Sequence, residues 1–284
     1  FSFVPTDSLS PESPGASSPT STLKGFSLAR RAIPLRDPLL KRIYNIDLYS
    51  SGSSGLLAAG GHQGRVAVFA LKDNQSEDAT DDSEEEEEDD CIAPLLSWKA
   101  SKGWNSGCQF VYGGTGKVRH LITASNSGDV TLWDLFKKAQ VGRSTMVQQL
   151  HQIEAHGGYG IFHLHLLRNK FTTASKDATV AYSELNNDRM ALVHRFDDAH
   201  ASVVKCARLN PCSATPIIAS AGNDRRIVIL DVRTQKSSCI IDDVSPNALN
   251  SLLWRPQHEH QLLCSGFEAN TIRLFDLRQP KKCF

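Results

Sequence analysis

The stretch NDRRIVILDVR, Asn223 to Arg233, decides how the rest of the chain is read. Two arginines, Arg225 and Arg226, lead into four apolar residues, and an aspartate and a third arginine close the run. IVIL is too short for a membrane span and reads as a buried strand. Asn223 and Asp224 ahead of it supply turn chemistry, because short polar side chains hydrogen-bond the neighbouring backbone. The polar ending is then the place where the strand leaves the core.

The same organisation recurs. Five segments line up, at 43–71, 104–135, 155–185, 199–233 and 247–278. Each has an alternating strand, a polar connection, a second strand ending in small residues, a tight turn, and a third apolar strand that ends near an aromatic or leucine. Four of them close with an acidic residue, as in Trp133-Asp134, Ser183-Glu184, Leu230-Asp231 and Phe275-Asp276. Alternation with period two between turn residues argues β-structure throughout, and a fixed repeat argues an array of like units. The turn positions 127, 177, 224 and 269 are 45 to 50 residues apart.

These pieces resemble the WD-repeat (WD40) family over roughly residues 43–278. The motif parts are His156 and His200 after alanine, the turn aspartates Asp177 and Asp224, and the closing pairs Trp133-Asp134, Leu230-Asp231 and Phe275-Asp276. The resemblance implies an all-β WD40 β-propeller in which each repeat supplies one four-stranded blade. It also implies a hydrogen-bonded set that pins each blade: His156, Thr173 and Asp177 in the third unit, His200, Ser220 and Asp224 in the fourth. Leu230 replaces the tryptophan that would extend the fourth set. Seven blades are commonest in the family and five are recognisable here. Either two lie outside this sequence, or the ring is smaller, or KGFSLARRAIPLRD (24–37) supplies the strand that closes the last blade; we expect a truncated seven-bladed ring.

Length and composition agree with a globular class. The chain has 284 residues, 40% of them hydrophobic, and no net charge. That zero conceals a separation: 77–90 (EDATDDSEEEEEDD) holds 11 of the 31 acidic residues, leaving 31 basic against 20 acidic side chains elsewhere, a net of +11. Residues 1–22 are rich in Ser, Pro and Thr and are expected to form a disordered tail ahead of a propeller spanning 23–284. The acidic run is expected to be a loop insertion at about 72–90, between the third and fourth strands of the first unit. It is either a solvated spacer or a contact for basic partners. Ser83, heading SEEE, is a candidate phosphorylation site. The N-terminus carries no signal-peptide pattern, so the expected compartment is cytoplasmic, nuclear or both.

Motifs for catalysis do not appear. There is no nucleophile elbow, P-loop, HExxH or dinucleotide fingerprint, and GGTG at 113–116 reads as a turn. An enzyme is the least expected class, and no cofactor or small-molecule substrate is implied. The seven cysteines form no CxxC pair and read as reduced, packed thiols. His163 and His165 share one strand face but lack further ligands, so packing is expected rather than a metal.

Two features point to partners. The family's ring geometry would place Asn126, Lys176 and Asn223 on one rim, where a protein, a histone or a nucleic acid could be held. The windows 218–233 and 263–278 resemble the sixteen-residue box of WD-repeat substrate receptors of cullin-RING ubiquitin ligases, whose terminal arginine helps dock the ligase adaptor. In this chain that role would fall to Arg233 and Arg278. Both windows lack the box tryptophan, the second has Ala269 at the turn aspartate, and Phe136 takes the arginine position in the second unit. The reading is therefore a non-enzymatic interaction scaffold, as a ligase substrate receptor or, alternatively, as a chromatin or nucleic-acid binder using a basic rim.

Overall fold

The computed structural model describes residues 34–51, 54–72, 91–112, 118–138, 145–267 and 271–279. The segment 1–22, the acidic run 77–90 with Ser83, GGTG at 113–116, and Ala269 lie outside them.

Among the described residues the alternating sequence produces short strands in five antiparallel sheets, each built from consecutive strands. The first holds β1 (Ile43–Ser51), β2 (Ser54–Gly61), β3 (Arg65–Lys72) and β4 (Leu96–Lys99). The second holds β5 (Asn105–Tyr112), β6 (Val118–Ser125), β7 (Asp129–Lys138) and β8 (Thr145–Glu154). The third holds β9 (Ile161–Leu167), β10 (Lys170–Ser175), β11 (Val180–Asn186) and β12 (Arg189–Phe196). The fourth holds β13 (Val204–Leu209), β14 (Ile217–Gly222), β15 (Ile227–Asp231) and β16 (Lys236–Ile241). The fifth has three strands among the described residues, β17 (Leu249–Trp254), β18 (Gln261–Gly266) and β19 (Arg273–Asp276).

The core lies between sheets rather than inside any one of them. Ala58, Val66 and Val68 of the first sheet pack with Phe110 and Leu121 of the second. Tyr182 and Val180 of the third pack with Leu209 and Ile218 of the fourth, and Ile227 and Ile229 of the fourth with Trp254 and Phe275 of the fifth. The first strands of successive sheets run side by side, β1 with β5, β5 with β9, β9 with β13 and β13 with β17. They form the inner edge of an arc of blades.

A side-chain ladder ties this edge together. The Phe110 N–H donates to Asp47 Oδ2 at 2.7 Å, the Leu166 N–H to Gln109 Oε1 at 2.5 Å, and the Leu209 N–H to His165 Nδ1 at 3.1 Å. For Phe110 and Leu166 the residue before the donor is itself the acceptor for the following blade. Sheets bring an unpaired backbone N–H to the inner edge at each junction, and the neighbouring blade satisfies it. Arg208 holds the next position and cannot accept; there the Trp254 indole donates instead to the Arg208 carbonyl at 3.0 Å. The approach is close: a Cβ at Gly107 would stand 2.6 Å from that of Leu164.

Among the described residues the ends of the arc are open. Ile46 and Leu48 of β1 are 65% and 56% exposed, whereas Cys108 and Phe110, at the matching places in β5, are 2% and 1% exposed beneath the first sheet. Leu253 of β17, at the ladder position, is 46% exposed. Residues Pro34 and Arg36 bond Ile92 beside the first sheet, through Ile92 N–H to the Pro34 carbonyl and Arg36 N–H to the Ile92 carbonyl. The described part of 24–37 therefore does not supply a fourth strand to the fifth blade. The physical reason is that the Arg36 N–H and the Pro34 carbonyl are already used at the opposite end of the arc, and 24–33 lie outside the described residues.

Burial holds the imidazoles of His163 and His165 in the neutral form, pushing both down to about 3, with the Arg208 guanidinium adding to the effect. Their rings stack 6.5 Å apart, and the Ala207 and Leu209 amides point at their Nδ1 atoms. Among the described residues no group of three His, Cys, Asp or Glu side chains is placed to hold a metal ion. Removing one rung should be measurable: Gln109→Leu leaves the Leu166 N–H without its acceptor and should cost ~1–3 kcal/mol, read as a lowered urea midpoint, while Gln109→His should lose less. The pH dependence has a definite sign. An imidazole kept neutral in the folded chain protonates more readily once unfolded, so stability is fully present above the ordinary histidine value of 6.5 and is lost as pH falls from there towards 3. The melting temperature should drop between about pH 7 and about pH 5, and His165→Gln, which keeps an acceptor but cannot titrate, should shrink that drop. A melting temperature flat over this interval would contradict the assignment.

Candidate functional site at the blade rim

The turn between the second and third strands of each blade sits beside the start of that blade's first strand. Backbone bonds fix this: Asn126 N–H to the Trp104 carbonyl, Lys176 N–H to Gly160, and Asn223 N–H to Val203, at 2.9 to 3.0 Å. His62 N–H to Arg42 and Phe267 N–H to Ala248 repeat it in the first and fifth blades. Asn126, Lys176 and Asn223 thus occupy matching rim positions, Lys176 and Asn223 exposed and Asn126 half-buried. His62 and the 56% exposed Phe267 are their counterparts. Sequence reasoning did not include those two, because neither stands in a recognisable turn motif.

Below the rim lie the polar networks. In the fourth blade His200 Nδ1 meets both Asp224 carboxylate oxygens at 2.9 Å, and Nε2 meets Ser220 Oγ at 2.9 Å. Burial is the largest single influence on the Asp224 carboxyl and works to raise it, but the hydrogen bond and charge of His200 together with the Ala201 and Arg226 amides outweigh it and hold the group below the usual range. In the third blade His156 Nε2 meets Thr173 Oγ1 at 2.7 Å. Its Nδ1 reaches Asp177 chiefly through Thr179, whose hydroxyl lies 2.7 Å from the ring and donates to Asp177 Oδ1 at 2.8 Å. Thr179 is a member that the motif comparison missed. Burial pushes His156 down to about 4 against the opposing charge of Asp177. In the second blade the Trp133 indole donates to Thr123 Oγ1 at 2.9 Å. Ser183 and Leu230 stand at the place of Trp133, and the buried Ser183 hydroxyl has no partner there.

The Asp-x-Arg endings lie at the far end of the third strands. Asp231 pairs with Ile217 and Asp276 with Gln261 in equivalent register. Arg233 bonds Asp231 at 3.4 Å, and Arg278 bonds Asp276 through both Nε and Nη2. The arginine bonds hold the Asp276 carboxyl well below its ordinary value. Both arginines keep most of their surface, 68% and 66% exposed. In the second blade Arg119, from the adjacent strand, takes the arginine's part and binds Asp134 at 2.7 Å. The basic pair in the opening motif is neutralised: Arg225 meets Asp243 at 2.9 Å and Arg226 meets Asp242 at 2.7 Å.

These arrangements orient backbone and present surface; where a hydroxyl meets an imidazole, as Ser220 meets His200 and Thr173 meets His156, both side chains are buried. No family model matches the chain. It is similar to Methylosome protein WDR77 of Xenopus laevis, 26% identical over 161 residues, covering 56% of this chain and 46% of that protein. It is also similar to Ribosome biogenesis protein ytm1 of Neurospora crassa, 24% identical over 193 residues, covering 58% of this chain and 39% of that protein. The match spans less than half the length of either relative. Among solved structures, Saccharomyces cerevisiae Sqt1 superposes with a TM-score of 0.66 at 12% identity, over 89% of this chain and 64% of that one. The chain has the WD40 β-propeller fold.

Proposed function

We propose that this chain is a non-enzymatic protein-interaction scaffold that serves as a substrate receptor of a cullin-RING ubiquitin ligase, working in the cytoplasm or nucleus. The observation that carries the ligase half is the pair Arg233 and Arg278. They stand at equivalent positions of adjacent blades, each oriented by its own aspartate and each about two-thirds exposed. A guanidinium held in one direction loses less freedom on binding than a free one, so such a pair suits a planar, bidentate partner. The rim with Asn126, Lys176 and Asn223 would hold the client. The names of the relatives, a methylosome protein and a ribosome biogenesis protein, agree with work inside assemblies.

Pulldown of the ligase adaptor by the wild-type chain and by Arg233→Ala/Arg278→Ala tests this. Recovery should fall by about tenfold or more, the loss of one or two charge-assisted bonds. Equal recovery, with an unchanged circular dichroism spectrum, removes the ligase half.

A second reading rests on the lysines near the rim. Lys102, Lys176 and Lys205 make no ion pair among the described residues, and three free cations suit phosphates. Affinity for duplex DNA measured against salt concentration discriminates. The scaffold reading expects weak binding with a flat dependence, and a steep fall with salt would favour a chromatin or nucleic-acid binder.

A further inference from the structure

Four side chains from four successive blades form a continuous strip just inside the rim. Tyr44, at the start of β1, stands 5.1 Å from Trp104, which precedes β5. Trp104 stands 5.9 Å from Phe162 of β9, and the Lys205 ammonium of β13 lies 3.9 Å from the centre of the Phe162 ring. Tyr44, Phe162 and Lys205 each come two residues after the carbonyl that accepts the rim amide, and Trp104 is itself such an acceptor. The strip is therefore registered to His62, Asn126, Lys176 and Asn223.

The strip is not core. Tyr44 is 46% exposed, and Trp104, Phe162 and Lys205 keep part of their surface. Contiguous aromatic surface bordered by polar groups marks an interaction site more often than scattered apolar residues do. Its charge is one-sided. Lys205 ends the strip, Lys176 and Lys102 stand exposed in the adjoining turns, and the arginines of the next turn are already neutralised by Asp242 and Asp243. Burial also pushes the Lys205 ammonium down, so an arriving carboxylate would restore what desolvation removes.

We propose that this strip docks an extended acidic peptide segment that carries one large apolar side chain. The apolar residue lies on Trp104 between Tyr44 and Phe162, carboxylates meet Lys205 and Lys176, and the Asn126 and Asn223 amides serve the peptide backbone. The rings disfavour a nucleic acid here: Tyr44 is tilted at 51° to Trp104 and Phe162 meets it edge to face at 61°, so they leave no parallel gap into which a base could stack. The inference rests on the scaffold reading and names the chemistry of the client.

Fluorescence anisotropy with the whole chain tests it, using a labelled short peptide of Asp and Glu with a single central Leu. The controls are the same peptide with Ser for Leu and an oligothymidylate of similar charge. The Leu peptide should bind best, and Trp104→Ala and Lys205→Glu should each weaken it by about tenfold, while Trp104→Phe retains most of the binding. Equal binding of the Ser peptide, tighter binding of the oligothymidylate, or no loss in Lys205→Glu overturns the proposal. Lys205→Glu changes a side chain at the surface, so it reports even if Trp104→Ala fails to fold. Adaptor pulldown on the same variants separates the two ideas. Retained adaptor with no peptide binding sinks the strip alone, and unchanged adaptor recovery in Arg233→Ala/Arg278→Ala with peptide binding intact sinks the ligase half alone.

Discussion

A blade of this chain cannot satisfy itself. Its first strand presents a backbone amide to the inner edge, and that amide finds its acceptor on the blade before: Asp47 for Phe110, Gln109 for Leu166, His165 for Leu209. An unpaired donor at a dry junction costs as much as a lost hydrogen bond. The apolar faces impose the same dependence, because each sheet buries residues such as Phe110 and Trp254 only under its predecessor. Stability is therefore a property of junctions, as in other repeat architectures. The open faces at Ile46 and Leu48, and at Leu253, follow directly from a junction series that has two ends.

Within that frame the repeats are free to degenerate one by one. The fourth blade has a direct His-Asp contact, the third interposes Thr179, and the second keeps the Trp133-Thr123 bond. Ser183 shows the limit of this tolerance, since replacing an indole by a hydroxyl leaves a buried oxygen without a partner. The junction ladder varies as much: a carboxylate, an amide and an imidazole do the same task because each offers a lone pair at a similar reach. Where Arg208 cannot, the following blade supplies a tryptophan donor to its carbonyl instead.

The surface divides in the same way into groups the fold has used and groups it has left over. Arg225, Arg226 and Arg119 are paired with carboxylates of their own sheets, and His163 and His165 are spent on the inner edge. Arg233 and Arg278 are paired yet exposed, and Lys205 stands over the Phe162 ring with no carboxylate partner among the described residues. Function in a propeller has to be carried by such remainders, since the fold itself supports unrelated activities.

Much of this was legible in NDRRIVILDVR and its relatives. Period-two alternation, the turn at Asn223-Asp224, the polar exit at Asp231, and His200 with Ser220 and Asp224 are local signals or motif positions, and their physics acts over a few residues. Tyr44, Trp104, Phe162 and Lys205 carry no such signal. They are dozens of residues apart, differ in type, and become neighbours only when four blades stack. Asp47, Gln109 and His165 are equally silent, because the acceptor's identity is free and only its place is constrained. Sequence by itself determined the strands, the turns and the repeating blade, since backbone sterics and burial periodicity are written residue by residue. Tertiary structure alone decided which side chains serve the junctions and which remain for a partner, because contacts between blades are set by stacking geometry and not by separation along the chain.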